Sequence, residues 1–208
     1  MKHTERNKLT QQHIKEAFIT LIETKGFNSL TVSDITRAAG ISRGTFYVHY
    51  PDKFALLDNI EEELYLNIVK TITDNFDDTL HLYDITDIEE ISASPYSIFI
   101  KALDYVYSER RTIRALLLPE GHPQFFDRIK LIVDDTFTQN LIRHNGHYLD
   151  VFPIDYTKEI VLNSMLNIVR HWLNKENPES PHELATILMK SRFLAPYQLM
   201  IFNPTNKN

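Results

Sequence analysis

The segment AAGISRGTFYVHYPDK, residues 38–53, constrains the fold of this chain more than any other stretch. Gly40 is a turn residue, and Ser42 directly after it is a preferred N-cap for a following helix. That helix is short, because Pro51 cannot continue a helix that ends at Tyr50. The segment therefore predicts a tight turn followed by about two turns of helix.

A second short helix precedes this turn. Thr31 predicts its N-cap, Asp34 stands three residues later as in a variant capping box, and the helix ends at Ala39. Two short helices joined by a glycine turn form a helix-turn-helix. Upstream, residues 10–25 predict a first helix with Thr10 as N-cap and Gly26 as the left-handed residue at its end. Its apolar stripe consists of Ile14, Ala17, Phe18, Leu21 and Ile22.

The rest of the chain also follows helical spacing. A fourth helix begins near Phe54, with the acidic run Glu61, Glu62 and Glu63 on its outer face. Residues 74–94 have weaker periodicity and predict a loop or a broken helix, whose order the sequence leaves open. Further helices are predicted over residues 95–111, 112–118, 124–144 and 155–175, and from residue 181 onward. No alternating strand pattern competes, so we expect an all-α fold.

Composition restricts the function. The chain has 208 residues and no cysteine, which excludes disulfides, thiolate zinc sites and cysteine nucleophiles and fits a reducing cytoplasm. The polar N-terminus does not resemble a signal peptide, and no apolar run approaches the about 20 residues of a membrane span. We therefore expect a cytoplasmic protein without a membrane partner.

The charge is unevenly distributed. The net charge is −6, yet residues 1–53 carry eight Lys or Arg against five Asp or Glu, whereas residues 54–208 carry 14 against 23. A cationic N-terminal part on an anionic body suits a protein that presents one end to phosphates.

The second helix of a helix-turn-helix enters the DNA major groove with its N-terminal residues near the base edges. Arg43 can bond guanine in a bidentate manner, Thr45 can contact thymine or a phosphate, and Gly44 lets the backbone approach the duplex. Tyr47, His49 and Lys53 suit phosphate oxygens. Phe46 should point inward instead. The complete set of predicted DNA contacts is Thr31, Ser33, Ser42, Arg43, Gly44, Thr45, Tyr47, His49 and Lys53.

Residues 10–57 resemble the DNA-binding head of the TetR family of bacterial regulators. The resemblance is carried by KGFNSLTVSDITRAAGISRGTFYVHYPDKFALL, which follows the family pattern GF…TV..IA..AGVS.GTFY.HF..K..L. Departures are mild, with Tyr50 where phenylalanine is usual and Thr36 where alanine is common. The end of the chain, IVRHWLNKENPESPHELATIL, resembles a C-terminal domain type of regulators in Gram-positive bacteria, some of which act as co-activators.

This resemblance implies an N-terminal three-helix helix-turn-helix head, residues 1–53, joined to a C-terminal helical ligand-binding and dimerisation domain, residues 54–208. It also implies a small-molecule effector whose binding changes the separation of two heads and releases the operator. The function expected is a sequence-specific transcriptional regulator: a homodimeric, ligand-released repressor on a palindromic operator. The alternative is a co-activator or co-regulator that works through a protein partner.

Two regions are candidates for the dimer interface and the effector pocket. The apolar stripes of the last two strong helices suggest the interface, with the alternative that both stripes face their own core. The predicted interface residues are Val161, Met165, Ile168, Trp172, Leu184, Ile187, Leu188 and Ser191. Aromatic residues in the body suggest the pocket, with the alternative that helical spacing makes most of them ordinary core residues. The candidates are Phe99, Tyr105, Phe125, Phe126, Phe137, His171 and Trp172.

Catalytic and metal sites are not expected. The sequence contains no glycine-rich phosphate loop, nucleophile elbow or metal-hydrolase motif. The pairs His144 with His147 and His81 with Asp84 have ligand-like spacing but lack a clear third ligand. We expect no cofactor apart from the unidentified effector.

Overall fold

The computed structural model describes residues 2–76, 97–193 and 196–200. Every regular element in these ranges is a helix, and the predicted all-α class with an N-terminal helix-turn-helix is confirmed. Most of the predicted loop at residues 74–94 lies outside the described residues.

The N-terminal part contains α1 (Lys2–Lys25), α2 (Val32–Ala39), α3 (Arg43–His49) and α4 (Lys53–Asp74). The predicted start of α1 at Thr10 is wrong, because the helix begins at Lys2. Thr10 lies inside the helix, where its hydroxyl donates to the carbonyl oxygen of Arg6 at 2.9 Å. A threonine that bonds the carbonyl four residues earlier is satisfied within a helix and does not mark its start.

The body contains α5 (Ser97–Ser108), α6 (Arg110–Leu117), α7 (Phe125–Arg143), α8 (Ile154–Lys158), α9 (Ser164–Asn174) and α10 (Pro181–Phe193). A π-helical turn, Glu159–Asn163, joins α8 to α9, and a 3-10 helix, Pro196–Leu199, follows α10. These bounds agree closely with the predicted helices, except that the first of them ends before Glu109, which separates α5 from α6.

One continuous cluster of buried side chains runs from the head into the body. In the head it includes Ile14, Phe18, Ile35 and Phe46, and it continues along α4 at Leu56, Leu57, Ile60 and Leu64. It ends in the body at Ile113, Leu116, Phe125, Trp172 and Leu184. Because α4 contributes to both parts, it couples the position of the head to the packing of the body.

The end of α1 lies directly against the loop between α6 and α7. The backbone N–H of Phe27 donates to the carbonyl oxygen of Glu120 at 2.7 Å. A Cβ at Gly26 would lie only 2.9 Å from the Cβ of Glu120, and Gly26 has a φ of 76°, so glycine is required there for both reasons. Nearby, the Arg111 guanidinium donates to the Glu23 carboxylate at 2.7 Å.

None of the helices in the described part of the chain is long and apolar enough to cross a membrane.

Candidate nucleic-acid interface

The start of α2 is fixed by a reciprocal cap. The backbone N–H of Asp34 donates to the Thr31 hydroxyl at 3.2 Å, while the backbone N–H of Thr31 donates to the Asp34 carboxylate at 3.0 Å. Hydrogen bonds from Lys25 and from Thr31 lower the pKa of the Asp34 carboxyl to about 2. The predicted capping box is confirmed. The Thr31 hydroxyl also donates to Asp34, so this side chain acts within the head.

The turn between α2 and α3 has the predicted geometry. Gly40 adopts φ 66° and ψ 32°, the left-handed conformation that glycine reaches without steric cost. Ser42 caps α3, because its hydroxyl accepts from the backbone N–H of Thr45 at 3.0 Å. The hydroxyls of Ser42 and Thr45 also lie 2.9 Å apart. The hydroxyls of both residues are therefore committed to the helix start.

The short α3 has an inner and an outer face. Phe46 is fully buried, as predicted, and its ring packs against that of Tyr50 at 5.9 Å. Arg43, Gly44 and Tyr47 are exposed on the outer side. The Arg43 guanidinium donates to the Tyr47 hydroxyl at 3.3 Å, one helical turn away. The helix thus presents a cationic and aromatic surface to solvent.

Gly44 is not required by the fold. A Cβ at this position would meet only the Ser42 hydroxyl at 3.7 Å, which is an ordinary van der Waals contact. Since glycine costs on the order of 1 kcal/mol relative to alanine inside a helix, this position has a conformational cost without a packing benefit. A close approach by an external partner would explain it.

Lys53 is committed to the interior of the head. Its ammonium donates to the carbonyl oxygens of Phe27 at 2.9 Å, Asn28 at 3.2 Å and Leu30 at 2.9 Å. An ammonium has three N–H donors, and all three are used. The predicted phosphate contact of Lys53 is thereby corrected: the side chain ties the loop after α1 to the first residue of α4. The two other predicted contacts, Ser33 and His49, are half-buried.

The carboxylate of Glu61 on α4 is buried, contrary to the prediction that the acidic run lies on the outer face of this helix. Its side chain is fully buried. One carboxylate oxygen accepts from the Arg128 guanidinium at 2.9 Å and from the Tyr65 hydroxyl at 3.2 Å, and the other lies 2.5 Å from His122 Nδ1. Burial raises the pKa of the Tyr65 hydroxyl, which therefore remains a donor. A signal existed, because Glu61 stands four residues after the apolar Leu57 and shares its helix face.

Two family models match the chain. Residues 14–60 match the model for bacterial regulatory proteins of the tetR family, and residues 93–192 match a model for a transcriptional regulator C-terminal region. The chain belongs to the TetR family. Both the head and the C-terminal part resemble this family, as the motifs predicted.

Curated relatives of this chain are named as transcriptional regulators. YxbF from Bacillus subtilis (strain 168), an HTH-type transcriptional regulator, is 25% identical over 187 residues, covering 84% of this chain and 42% of that protein. The HTH-type transcriptional regulator AcrR from Shigella flexneri is 38% identical over 53 residues, covering 26% of this chain and 25% of that protein. The chain spans 40–44% of the length of the first three curated relatives it matches. The family and these relatives are transcriptional regulators, not enzymes.

A solved structure shares the fold. The TetR transcriptional regulator from Streptococcus agalactiae 2603V superposes with a TM-score of 0.60 at 23% identity, covering 92% of this chain and 97% of that chain. The TetR-family fold therefore extends over both the head and the body.

The described side chains of the predicted effector pocket lie in different surroundings in this TetR-family chain. Phe125 and Trp172 are core residues, exposed by 0% and 1%. The Trp172 indole N–H donates to the carbonyl oxygen of Glu179 at 2.8 Å. The remaining side chains are dispersed: Phe126 lies under the Arg170 guanidinium, Phe137 packs on Phe76, His171 is exposed, and the side chain of Phe99 lies outside the described residues. Of the described side chains in this set, Tyr105 alone lines a cleft of about 310 Å³ between α1, α4, α5 and α6.

The predicted interface residues divide into three groups by their exposure. Trp172, Leu184 and Leu188 are at most 2% exposed and lie in the chain's own core, so their predicted interface role is wrong. Wide apolar stripes on α9 and α10 turn partly inward, which was the alternative that the sequence left open. Val161, Met165 and Ile168 are half-buried, whereas Ile187 and Ser191 are exposed.

The described candidate metal ligands, His144 and His147, have no third ligand side chain grouped with them. In the part of the chain that the structure describes, no three His, Cys, Asp or Glu side chains are grouped so as to hold a metal ion. His144 Nδ1 lies 2.7 Å from the carbonyl oxygen of Asn140. The pair His81 and Asp84 lies outside the described residues.

Proposed function

We propose that this TetR-family chain is a sequence-specific DNA-binding transcriptional regulator that works in the bacterial cytoplasm. The observation that carries the proposal is the outer face of α3, where Arg43, Gly44 and Tyr47 are exposed on a helix whose other side is anchored by the buried Phe46. A rigidly anchored helix with a cationic outer face suits insertion into a major groove.

The exposed groups of the outer face and the half-buried Thr45 divide the work of recognition. Arg43 is placed to bond guanine through its guanidinium, and the Thr45 methyl group suits the methyl group of thymine. Tyr47, whose side chain is 48% exposed, suits a phosphate oxygen. Lys53 is not part of this surface, because its ammonium group donates to three backbone carbonyl oxygens inside the head.

The regulator acts in this proposal as a homodimer on a palindromic operator. Two α3 helices must lie roughly 34–36 Å apart to enter successive major grooves. Support comes from exposed apolar side chains in the segments predicted to form the interface. Ile187 on α10 is 43% exposed, and Ile160 in the π-helical turn is 59% exposed. An apolar surface of this kind favours association with a second copy.

The dimer is tested by light scattering after size exclusion. We expect a dimer for the unchanged chain and a shift toward monomer for Ile187→Glu with Ile160→Glu. Leu131→Glu on α7 is the matched control, because Leu131 is 70% exposed and lies outside the selected helices. A monomer from the unchanged chain, or an equal effect of the control, contradicts the dimer.

The last part of the proposal is that the chain represses transcription while bound to its operator and is released when a small-molecule effector binds. It rests on the resemblance of the chain to its family and on the continuous core that joins the head to the body through α4. A co-regulator that needs a protein partner is the alternative.

Fluorescence anisotropy with the DNA upstream of the chain's own gene tests the proposal, with a random duplex as control and salt varied throughout. We expect binding to the upstream DNA that is tighter than to the random duplex and that weakens with salt. Equal, weak binding to both duplexes would contradict direct sequence-specific recognition and favour the co-regulator.

A further inference from the structure

The cleft between the head and the body has an apolar floor. Ile19 on α1 and Ile60 and Leu64 on α4 line it and are at most 4% exposed. The half-buried Tyr105 on α5 adds an aromatic ring. A volume of about 310 Å³ lies at the lower end of the range for small-molecule sites.

The cations around this cleft are already paired. Lys15 on α1 forms an ion pair with Glu63 on α4, across the cleft from head to body. Arg111 on α6 pairs with Glu23 on α1 at 2.7 Å. Each cation is therefore matched by a carboxylate of its own.

Two further carboxylates remain, one on each wall. Glu16 on α1 accepts from the neutral Gln12 amide at 3.0 Å, and Glu109 at the junction of α5 and α6 accepts from the neutral Thr112 hydroxyl at 3.3 Å. Both line the cleft, and neither lies within ion-pair distance of a described cation, although Glu16 also attracts the Arg111 guanidinium over a longer distance. The cleft therefore carries an excess of negative charge above an apolar floor.

Tyr105 adds a group that suits a cation. Burial raises the pKa of its hydroxyl, so the ring stays neutral at physiological pH. A neutral aromatic ring attracts an ammonium group to its face, with the strongest effect where water is excluded.

We propose that this cleft binds a small organic cation, with an ammonium group held by Glu16 and Glu109 and an apolar body resting on Ile19, Ile60 and Leu64. Because Glu16 belongs to the head and Glu109 to the body, the bound cation joins the two parts. The use of this site as an effector site rests on the proposed function, whereas cation binding itself does not.

Isothermal titration calorimetry of the full chain without DNA tests the site, with benzyltrimethylammonium as the probe and phenylacetate as the anion of similar size. We expect saturable binding of the cation, one per chain, and none of phenylacetate. The variant Glu16→Gln with Glu109→Gln should weaken cation binding by at least about tenfold, the loss expected when a charge-assisted contact worth about 1.4 kcal/mol disappears.

Glu62→Gln is the matched control, because Glu62 is an exposed carboxylate on α4 that does not line the cleft. It should leave the affinity unchanged within about twofold. No saturable binding to the unchanged chain, equal binding of phenylacetate, or unchanged affinity of the double variant with a retained thermal unfolding midpoint would each overturn the site. Since no DNA is present, these results are independent of operator recognition. A second titration, of the DNA complex, then reports whether the cation alters DNA affinity.

Discussion

The ammonium of Lys53 lies 2.9 Å from the carbonyl oxygen of Phe27 and 4.7 Å from the centre of its ring. This contact joins the first residue of α4 to the loop that follows α1. Lys53 was expected to contact DNA. In the structure it instead holds the start of α4 against the loop that follows α1.

Replacing Lys53 should therefore affect stability first. Lys53→Met removes three hydrogen bonds from a charged donor and should lower the free energy of unfolding by about 2–3 kcal/mol, measured by urea denaturation. The salt dependence of DNA binding should keep its slope. A phosphate contact would instead leave stability unchanged and reduce that slope by about one charge.

Glu61 provides a second stability prediction. Glu61→Ala removes the buried partner of Arg128 and His122 and should cost about 1–3 kcal/mol of unfolding free energy, less than for a fully buried pair because the Arg128 side chain is 45% exposed. Glu62→Ala is the control, since this neighbouring carboxylate is exposed and should change stability by about 0.5 kcal/mol or less. Equal effects of the two variants in thermal unfolding would contradict the buried role of Glu61.

A substitution at Gly44 should have opposite effects on the stability of the chain and on its affinity for DNA. Gly44→Ala should stabilise α3 by up to about 1 kcal/mol, because the added Cβ meets no close neighbour within the chain. The same methyl group should weaken DNA binding, since it stands on the face that approaches the duplex. Paired thermal unfolding and anisotropy measurements check both signs, and undiminished DNA affinity would show that this backbone is not approached closely.

Asp34 predicts a pH dependence. Its folded-state pKa of about 2 lies below the ordinary value of 3.8, so the ionised cap contributes fully above pH 3.8 and is lost as pH falls through about 2. A carboxyl carbon NMR titration should find that midpoint. Lys25→Met removes the largest cause and should move the midpoint up toward 3.8; a midpoint of 3.8 in the unchanged chain would contradict the cap.

Local chemistry made the head predictable. Thr31, Ser42 and Gly40 act through neighbours three or four residues away, so the caps and the turn could be recognised from the sequence. The inward position of Phe46 followed from helical spacing for the same reason.

Distant contacts were not predictable in this way. Glu61 is buried because His122 and Arg128, 61 and 67 residues later, return to it in the folded chain. Trp172 and Leu184 belong to stripes wide enough to serve a core or an interface, and only packing decides between these. The partners of Lys53 lie more than 20 residues upstream, so its donors looked available when only the sequence was considered.

The central claim, that the outer face of α3 reads DNA, is tested most directly by anisotropy of Arg43→Ala on the preferred upstream site and on a random duplex. Arg143→Ala is the matched control, since it removes the same exposed charge at the end of α7. We predict that Arg43→Ala costs about 1–3 kcal/mol on the preferred site and reduces discrimination, while the control binds like the unchanged chain. Unchanged affinity and discrimination in Arg43→Ala, or an equal loss in both variants, would contradict recognition by α3.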